Sequence, residues 1–325
     1  MKKKNNYVVS KTPLRISFLG GGTDISYFYK KHGGATFSIA INKFVYVTVK
    51  RHSEYFIENY RLNYYNTEIC QKISKIKNSI IRETLKYLNI KTPLYISIIS
   101  DIPTGSGLGG SSSFIIGLIN ALCKLENIKV NKFKLLKYAT KIEIDILNKP
   151  IGKQDHIPAI YGGMLYTKYF KNSEIFINKI RNIKLKVPIN IIWTNKKRDS
   201  YLTLIDQKKR LKKNIENLKI MKKLCEEFCY KLIKNRKIDH NILSNYINQS
   251  WRLKKKLSPL IKLDKADKII SLAQKKNVGS KLLGAGGGGF ILYLGKKNNK
   301  IFKNYIYEDV KIYNNGSEII TLQKD

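Results

Sequence analysis

The chain has 325 residues, of which 43% are hydrophobic and 11% aromatic, which is enough apolar material for a buried core and excludes an intrinsically disordered chain. This length suggests two domains, or one large domain with an internal cleft. The 62 Lys and Arg residues against 23 Asp and Glu residues give a net charge of +39, but the excess is spread along the whole chain and therefore predicts no dedicated nucleic-acid surface.

The first half of the chain is rich in predicted strands. Residues 8–19 are extended, the three glycines after them force a tight turn, and alternating apolar residues predict a long strand over residues 36–50. A strand over residues 94–100 leads directly into a glycine-rich loop. Apolar residues at helical spacing predict helices over residues 80–88, 112–125 and 133–147.

The second half is rich in predicted helices. Lys-rich helical patterns cover residues 204–235 and 242–257. Short strands are predicted over residues 164–170, 189–194, 280–283 and 290–294. The change from predicted strands to predicted helices places a domain boundary at residue 172, between an N-terminal domain of residues 1–172 and a C-terminal domain of residues 173–325. The sequence therefore predicts an α+β protein with a cleft between two lobes.

The strongest functional signal is the segment of residues 103–113, PTGSGLGGSSS, which joins a predicted strand to a predicted helix. Glycines let backbone N–H groups approach a phosphate closely, and a helix N-terminus adds partial positive charge. Serine hydroxyls can contact phosphate oxygens and Mg²⁺. We therefore predict a loop that binds the phosphates of ATP, with the contact residues Pro103, Gly105, Ser106, Gly107, Leu108, Gly109, Gly110, Ser111 and Ser112.

Two other phosphate loops do not fit this segment. The P-loop of nucleotide-hydrolysing enzymes requires a Lys after its glycines, and none follows here. Gly105, Gly107 and Gly110 have the spacing of the dinucleotide-binding fingerprint, but a second helix follows instead of the required parallel strand ending in an acidic residue. A simple helix cap would need only one serine and one glycine.

Other segments contribute charged groups and a second glycine loop. Residues 284–289 contain five glycines, more than a turn requires, which predicts a backbone packed tightly against a ligand or against the first loop. Arg15 and Asp24 flank the early glycine turn, and Asp155 follows a predicted helix that contains Glu143. A carboxylate base, a cation and a metal ligand are the groups that phosphoryl transfer to a hydroxyl needs.

In this order, the segments TPLRISFLGGGTD, PTGSGLGGSSS and KLLGAGGGGF resemble the three motifs of the GHMP kinases, over residues 12–294. Together with PIGKQD they are most similar to the kinases of D-glycero-D-manno-heptose 7-phosphate. The resemblance implies the GHMP kinase fold, with an N-terminal lobe of the ribosomal S5 domain 2-like type and a C-terminal α+β lobe. It also implies ATP, Mg²⁺ and a sugar phosphate that is phosphorylated at C1, within a route to GDP-heptose and surface polysaccharide.

The resemblance also implies roles for individual residues. Asp155 matches the catalytic aspartate and Arg15 the cation beside it, while Ser111 and Glu143 match the Mg²⁺ ligands. One departure is Gly110, which stands where the family commonly has serine, although its backbone N–H is retained. Asp24, with Gly22 and Thr23, matches the sugar-binding turn, and the third-motif loop is represented by Gly284, Gly286, Gly287 and Gly288.

A phosphorylated sugar needs a second cationic site, away from the triphosphate. Because Arg suits bidentate phosphate recognition, we rank Arg198 and Arg252 above the surrounding lysines, and Lys281 enters the third motif. These three residues are the candidate ligands of the substrate phosphate.

Two other functions remain open at this point. One is a GHMP kinase for an unphosphorylated sugar of the fucose or galactose type, and the other is a basic, S5-like nucleic-acid-binding protein. No apolar run reaches the ~18 residues of a membrane helix, and no apolar segment follows the basic residues 1–4, so we expect a cytoplasmic protein without a membrane or specific nucleic-acid partner. A homo-oligomer is compatible with the sequence.

Overall fold

The computed structural model of the protein describes residues 6–197, 200–297 and 302–320. Short 3-10 turns occur at Ile73–Lys75 and Pro259–Ile261, and a π-helical segment at Lys141–Ile146. The strands are β1 (Tyr7–Leu19), β2 (Gly34–Arg51), β3 (Tyr60–Asn63), β4 (Thr67–Cys70), β5 (Leu94–Ser100), β6 (Met164–Tyr169), β7 (Ile175–Ile180), β8 (Ile189–Trp193), β9 (Gly279–Leu282), β10 (Phe290–Leu294), β11 (Tyr307–Val310) and β12 (Glu318–Ile320). The helices are α1 (Ser26–His32), α2 (Ser79–Tyr87), α3 (Gly110–Leu125), α4 (Lys132–Thr140), α5 (His156–Tyr161), α6 (Ser200–Lys209), α7 (Leu211–Asn235), α8 (His240–Lys254) and α9 (Asp264–Lys275).

The N-terminal lobe is built on one mixed sheet. Its strand order is β12-β1-β2-β5-β3-β4, and β6 pairs with both β2 and β7. The pairs are antiparallel except for β3 with β5, which are parallel. Because β7 pairs with β6 and β12 pairs with β1, the predicted boundary at residue 172 falls inside the β6–β7 hairpin, and the lobe includes a strand from the far end of the sequence.

Helix α3 packs directly on β1 and β2 and forms the centre of this lobe. Its apolar residues are buried on nearly all sides, as expected for a helix covered by a sheet and by other helices. The approach to β1 is close at Gly117, where a Cβ atom would lie 2.8 Å from Thr12 Oγ1 and 2.9 Å from Ser10 Oγ. The Ser10 hydroxyl donates to the Gly117 carbonyl at 2.8 Å, so the strand that carries Arg15 is held against the helix that follows the glycine loop.

The C-terminal lobe contains an antiparallel sheet of order β11-β8-β10-β9, covered by α8 and α9. Its own core includes Trp251, Ile270 and Ile291. The helical pattern of residues 204–235 is divided at Arg210 into α6 and α7, and that of residues 133–147 becomes α4 followed by the π-helical segment. The predicted α+β architecture with two lobes is confirmed.

In the described part of the chain, no helix combines the length and the apolar character that crossing a membrane demands.

Candidate active site

The glycine loop directs its carbonyl groups toward the protein. The carbonyl of Ser106 accepts from Phe290 N at 3.0 Å, that of Gly107 from Arg15 Nη1 at 2.6 Å, and that of Leu108 from Arg15 N at 2.9 Å. The loop glycines 105, 107 and 109 have φ values of 74°, 84° and 79°, which other residues rarely adopt. Helix α3 begins at Gly110, so its first N–H groups have no acceptor within the helix. An exposed row of donors at a helix N-terminus is a phosphate-binding arrangement.

Arg15 connects this loop to Asp155. Arg15 is 3% exposed and its guanidinium contacts both carboxylate oxygens, with Nε 2.8 Å from Oδ1 and Nη2 2.6 Å from Oδ2. Its third contact is the one to the Gly107 carbonyl. Such a bidentate pair fixes the plane of the carboxylate as well as its distance. Asp155 precedes the first turn of α5 and its side chain is 27% exposed, so a fixed cation holds a carboxylate that solvent can still reach.

Glu143 lies fully buried in the π-helical segment, a distortion that is frequent at functional sites. Its Oε1 accepts from the Ser111 hydroxyl at 2.6 Å and from Lys149 Nζ at 2.7 Å. Its Oε2 lies 2.8 Å from His156 Nε2, and because a carboxylate only accepts hydrogen bonds, this nitrogen carries the proton. Burial would raise the pKa of Glu143, but the interactions with His156 and then with Lys149 outweigh burial and lower the pKa to about 2.

Ser111 and Glu143 fit the predicted Mg²⁺ site in chemistry. They supply a hydroxyl and an ionised carboxylate oxygen 2.6 Å apart, at the start of the helix that follows the glycine loop. In kinase sites Mg²⁺ is held by one or two protein oxygens together with substrate phosphates. Among residues 6–197, 200–297 and 302–320, no group of three or more His, Cys, Asp or Glu side chains could hold a metal ion by itself.

Asp24 joins the early glycine turn to the segment before Asp155. Its Oδ1 accepts from Gly22 N and its Oδ2 from Gln154 N, both at 3.1 Å. Burial, opposed by these bonds and assisted by the charge of Asp155, raises the pKa of Asp24. A Cβ atom at Gly152 would lie 1.8 Å from Asp24 Oδ2, so this contact requires glycine. Asp24 therefore contacts the residue that precedes Asp155 and lies near enough to feel its charge.

Thr23 has a different role from the one predicted. Its buried hydroxyl lies within 2.8 Å of the Gly20 carbonyl and 2.9 Å of the Ala35 carbonyl, and it accepts from Ala35 N at 3.1 Å. Its single proton is used within the turn, and the residue is fully buried. Thr23 therefore stabilises the turn instead of contacting a sugar.

The third-motif loop packs against the first loop and against the 3-10 turn. Gly289 has a φ of 89°, and a Cβ atom there would lie 2.2 Å from the Ser106 carbonyl oxygen. At Gly286 the nearest backbone atom would be Ile261 Cα at 2.7 Å, and at Gly287 it would be Leu260 O at 2.7 Å. Gly284, with a φ of 69°, and Gly288 complete the loop. The predicted tight packing against the first loop is therefore present at Gly289.

Lys281 is also not available to a substrate phosphate. Its ammonium group is buried and donates to the carbonyls of Ser17 at 3.0 Å and Phe18 at 3.1 Å on β1. Burial, followed by the charges of Lys254 and Arg15, lowers the pKa of Lys281 to about 7. The prediction of Lys281 as a phosphate ligand is wrong, since the residue connects β9 to β1. Of the other two candidates, Arg252 is exposed on α8, and Arg198 lies outside the described residues.

Three neighbours of the site were not predicted. Lys149 contacts Glu143 and Ser111, and His156 contacts Glu143. Gln154 accepts from the Ser17 hydroxyl at 3.0 Å. His156 and Gln154 flank Asp155 in sequence and Lys149 precedes Pro150, so proximity to the motif was the only available signal.

A surface recess of about 530 Å³ lies apart from this cluster. Its lining includes Lys171, Lys222, Glu174 and Glu226, and it contains none of the residues that surround Asp155 or Glu143. The convergence of carboxylates, cation and glycine loop is therefore a better guide to the active site than the size of a recess.

Comparison with known proteins assigns this arrangement to a family. Residues 74–163, which include the glycine loop, Glu143 and Asp155, match the model of the GHMP kinases N terminal domain. Residues 74–163 therefore contain the N-terminal domain of the GHMP kinases. The expectation of an ATP-dependent kinase is thereby confirmed.

Several members of the family are similar over most of their length. The D-glycero-alpha-D-manno-heptose 7-phosphate kinase of Campylobacter jejuni is 29% identical over 302 residues, covering 87% of this chain and 88% of that protein. The mevalonate kinase of Methanocaldococcus jannaschii is 28% identical, covering 94% of this chain and 98% of that protein. The crystal structure of a D-glycero-D-manno-heptose 1-phosphate kinase from Bacteroides thetaiotaomicron has a TM-score of 0.74 at 19% identity, covers 98% of this chain and 100% of that one, and shares the fold.

Proposed function

We propose that this GHMP kinase transfers the γ-phosphate of ATP, with Mg²⁺, to the anomeric hydroxyl of D-glycero-D-manno-heptose 7-phosphate. The observation that carries the proposal is the position of Arg15, whose guanidinium binds both oxygens of Asp155 and the carbonyl of Gly107. One buried side chain thereby fixes the distance between a reachable carboxylate and a phosphate-binding loop. A sugar hydroxyl at Asp155 would lie next to a triphosphate on that loop.

The residues have separate tasks in this mechanism. The N–H groups at the start of α3 bind the triphosphate. Asp155 accepts the hydrogen bond of the attacking hydroxyl and orients it, while Arg15 holds the carboxylate in place. Because a loose phosphoryl-transfer transition state needs little activation of the nucleophile, orientation supplies more of the rate than proton removal.

Ser111 and Glu143 would hold the Mg²⁺ ion. When bound with the nucleotide, this ion supplies positive charge next to the phosphate oxygens that become more negative during transfer. The low pKa of Glu143, about 2, keeps the carboxylate ionised at any physiological pH. His156 orients the carboxylate through its hydrogen bond to Oε2, while Ser111 contacts Oε1.

Similarity to the heptose 7-phosphate kinase of C. jejuni supports the choice of substrate. A phosphate at C7 is remote from C1, so its binding energy can be used to align the reacting hydroxyl. Arg252 and Arg198 remain our candidates for this second phosphate site, and Asp24 and Gly22 for contacts to the sugar. The product would enter a route to GDP-activated heptose for surface polysaccharide.

The test is a comparison of substrates under one set of ATP and Mg²⁺ concentrations. Purified protein is given heptose 7-phosphate, free heptose, mannose, fucose or galactose, and the products are identified by mass spectrometry. We expect kcat/KM to be about 10²-fold or more higher for heptose 7-phosphate, with the new phosphate at C1. A free sugar that reacts as efficiently would contradict the proposed substrate and support a fucose- or galactose-type kinase.

A further inference from the structure

The ammonium group of Lys149 contacts both of the residues that are proposed to bind the metal ion. Its Nζ lies 2.7 Å from Glu143 Oε1 and 3.0 Å from Ser111 Oγ, the two oxygens assigned to Mg²⁺ above. These two oxygens are themselves 2.6 Å apart. The ammonium group therefore binds the same pair of atoms that a divalent cation would need. Apart from its contribution to the low pKa of Glu143, the mechanism described so far does not use this residue.

The backbone of Lys149 is fixed, whereas its side chain is not enclosed. Its N–H donates to the Glu143 carbonyl at 3.0 Å, and it lies between Asn148, whose φ is 51°, and Pro150. In contrast, 26% of its side chain is exposed, against 0% for Glu143. An ammonium group on a flexible stem at the edge of a buried carboxylate can leave that carboxylate without disturbing the core.

From this geometry, and on the basis of the proposed function, we propose that Lys149 is an exchangeable cation of the Ser111–Glu143 oxygen pair. Before nucleotide binds, the ammonium group neutralises Glu143 and excludes a divalent metal from the pair. When a triphosphate binds to the glycine loop, Lys149 turns to the phosphate oxygens and leaves Glu143 Oε1 to the metal. Lys149 thus positions the phosphates and makes metal binding depend on nucleotide.

The physical basis is competition between two cations for one carboxylate. Close to a buried charge, the ammonium group and a divalent ion repel each other too strongly to be bound together. A triphosphate gives Lys149 a new partner of higher charge, so the loss of its contact with Glu143 is compensated. Metal and nucleotide must then strengthen each other's binding by the same factor, because such coupling is reciprocal.

The experiment measures Mn²⁺ binding by electron paramagnetic resonance, with and without ATP, and without sugar. The variants are Lys149→Met, which removes the charge, and Lys149→Arg, which retains it. Lys141→Met is the matched control, because Lys141 lies two residues from Glu143 but its side chain is 51% exposed and pairs with Asp145 at 3.3 Å.

In the absence of ATP, Lys149→Met should bind Mn²⁺ about tenfold or more tightly than the wild type, and Lys149→Arg should resemble the wild type. Metal-free ATP, measured by calorimetry in EDTA, should bind Lys149→Met several-fold more weakly. The enhancement of Mn²⁺ binding by ATP should therefore shrink in this variant, and Lys141→Met should behave like the wild type.

The proposal is overturned if Lys149→Met binds Mn²⁺ no more tightly than the wild type. A lower melting temperature with unchanged Mn²⁺ affinity would identify Lys149 as a structural partner of Glu143 only. This result is distinguishable from failure of the proposed function, because the substrate comparison uses the wild-type protein and does not depend on Lys149.

Discussion

The two glycine-rich loops have similar composition, but the protein uses their glycines in opposite ways. In the first loop, carbonyls bind inward to Arg15 and Phe290, and a Cβ atom at Gly110 would meet nothing within 4 Å. In the third-motif loop, Cβ atoms at Gly286, Gly287 and Gly289 would each lie less than 3 Å from protein atoms. The first loop keeps one face open for a ligand, and the second is closed by its own neighbours.

This difference shows that a run of glycines does not by itself identify a ligand site. Glycine permits close approach of any kind, whether to a phosphate or to another backbone. What distinguishes the first loop is its position at the start of α3 and its connection through Arg15 to Asp155. The third-motif loop supports the first loop through the contact of Gly289 with Ser106.

The largest effect on catalysis should come from a change at Asp155, which Arg15 connects to the first loop. Asp155→Asn removes the charge that orients the hydroxyl, and we expect kcat to fall by about 10²–10⁴-fold with ATP affinity nearly unchanged. Steady-state kinetics and calorimetric titration with ATP measure the two quantities. Asp145→Asn is the control, since Asp145 is 57% exposed and pairs only with Lys141 in the described structure. Retention of more than a tenth of wild-type kcat would remove Asp155 from the mechanism.

A methyl group added to the third-motif loop should lower the stability of the protein as well as weaken the binding of ATP. In Gly289→Ala the new Cβ atom meets the Ser106 carbonyl at 2.2 Å and the backbone keeps a φ of 89°. We expect the free energy of unfolding in urea to fall by about 2–4 kcal/mol, and ATP binding to weaken because the first loop must move. Gly295→Ala, where the nearest atom would be 3.3 Å away, is the control. Equal stability of the two variants would refute the supporting role of this loop.

The pH dependence of stability should identify Lys281, just before the third loop, as a buried amine. Burial lowers its pKa from 10.5 to about 7, so between these values the unfolded chain holds a proton that the folded protein has released. The contribution of Lys281 to stability should therefore increase as pH rises from 7 toward 10, by up to ~1.4 kcal/mol per pH unit.

Urea unfolding at pH 7, 8 and 9 measures this slope. Lys281→Met should lack this increase, whereas Lys262→Met, which removes an exposed lysine, should retain it. Parallel curves for the wild type and Lys281→Met would show that the ammonium group of Lys281 is not held as the structure indicates.

The smallest effect on activity and stability is expected from a substitution on the open side of the first loop. Gly110→Ser restores the residue common in the family, its Cβ atom has free space, and its backbone N–H remains. We expect kcat/KM to stay within about threefold of the wild type and stability within ~0.5 kcal/mol. Gly109→Ala is the matched contrast, because its φ is 79° and its Cβ atom would lie 3.0 Å from Arg15 Cγ. If Gly110→Ser were as damaging as Gly109→Ala, the first loop would not be open.

Much of the fold could be predicted from local patterns. Strand β5, the glycine loop and helix α3 were found because apolar periodicity and glycine spacing are properties of neighbouring residues. The sequence does not predict strand β7, because its residues are only partly buried. The pairing of β7 with β6 is the reason that the predicted domain boundary at residue 172 falls inside a hairpin. Strand β12 has three residues, and no periodicity can be recognised in so short a segment.

The site could be predicted where the family motif specifies residues, and not where burial decides the role. Arg15, Asp155, Ser111 and Glu143 lie together as the motifs implied. Lys281 was misassigned because a sequence cannot distinguish a lysine that binds backbone carbonyls from one that faces a ligand. The contact of Lys149 with Glu143 depends on the π-helical segment, which interrupts an otherwise ordinary helical pattern.

The pairing of β12 with β1 has a consequence for the synthesis of the protein. The Thr12 and Ser317 hydroxyls, 2.8 Å apart in the folded chain, are separated by 305 residues in the sequence. At ~5–20 residues per second, a ribosome needs roughly 15–60 s to produce the second after the first. During this time β1, which carries Arg15, has an unpaired edge that other nascent chains can contact. Strand β12 can cover this edge only after residues 318–320 have been synthesised.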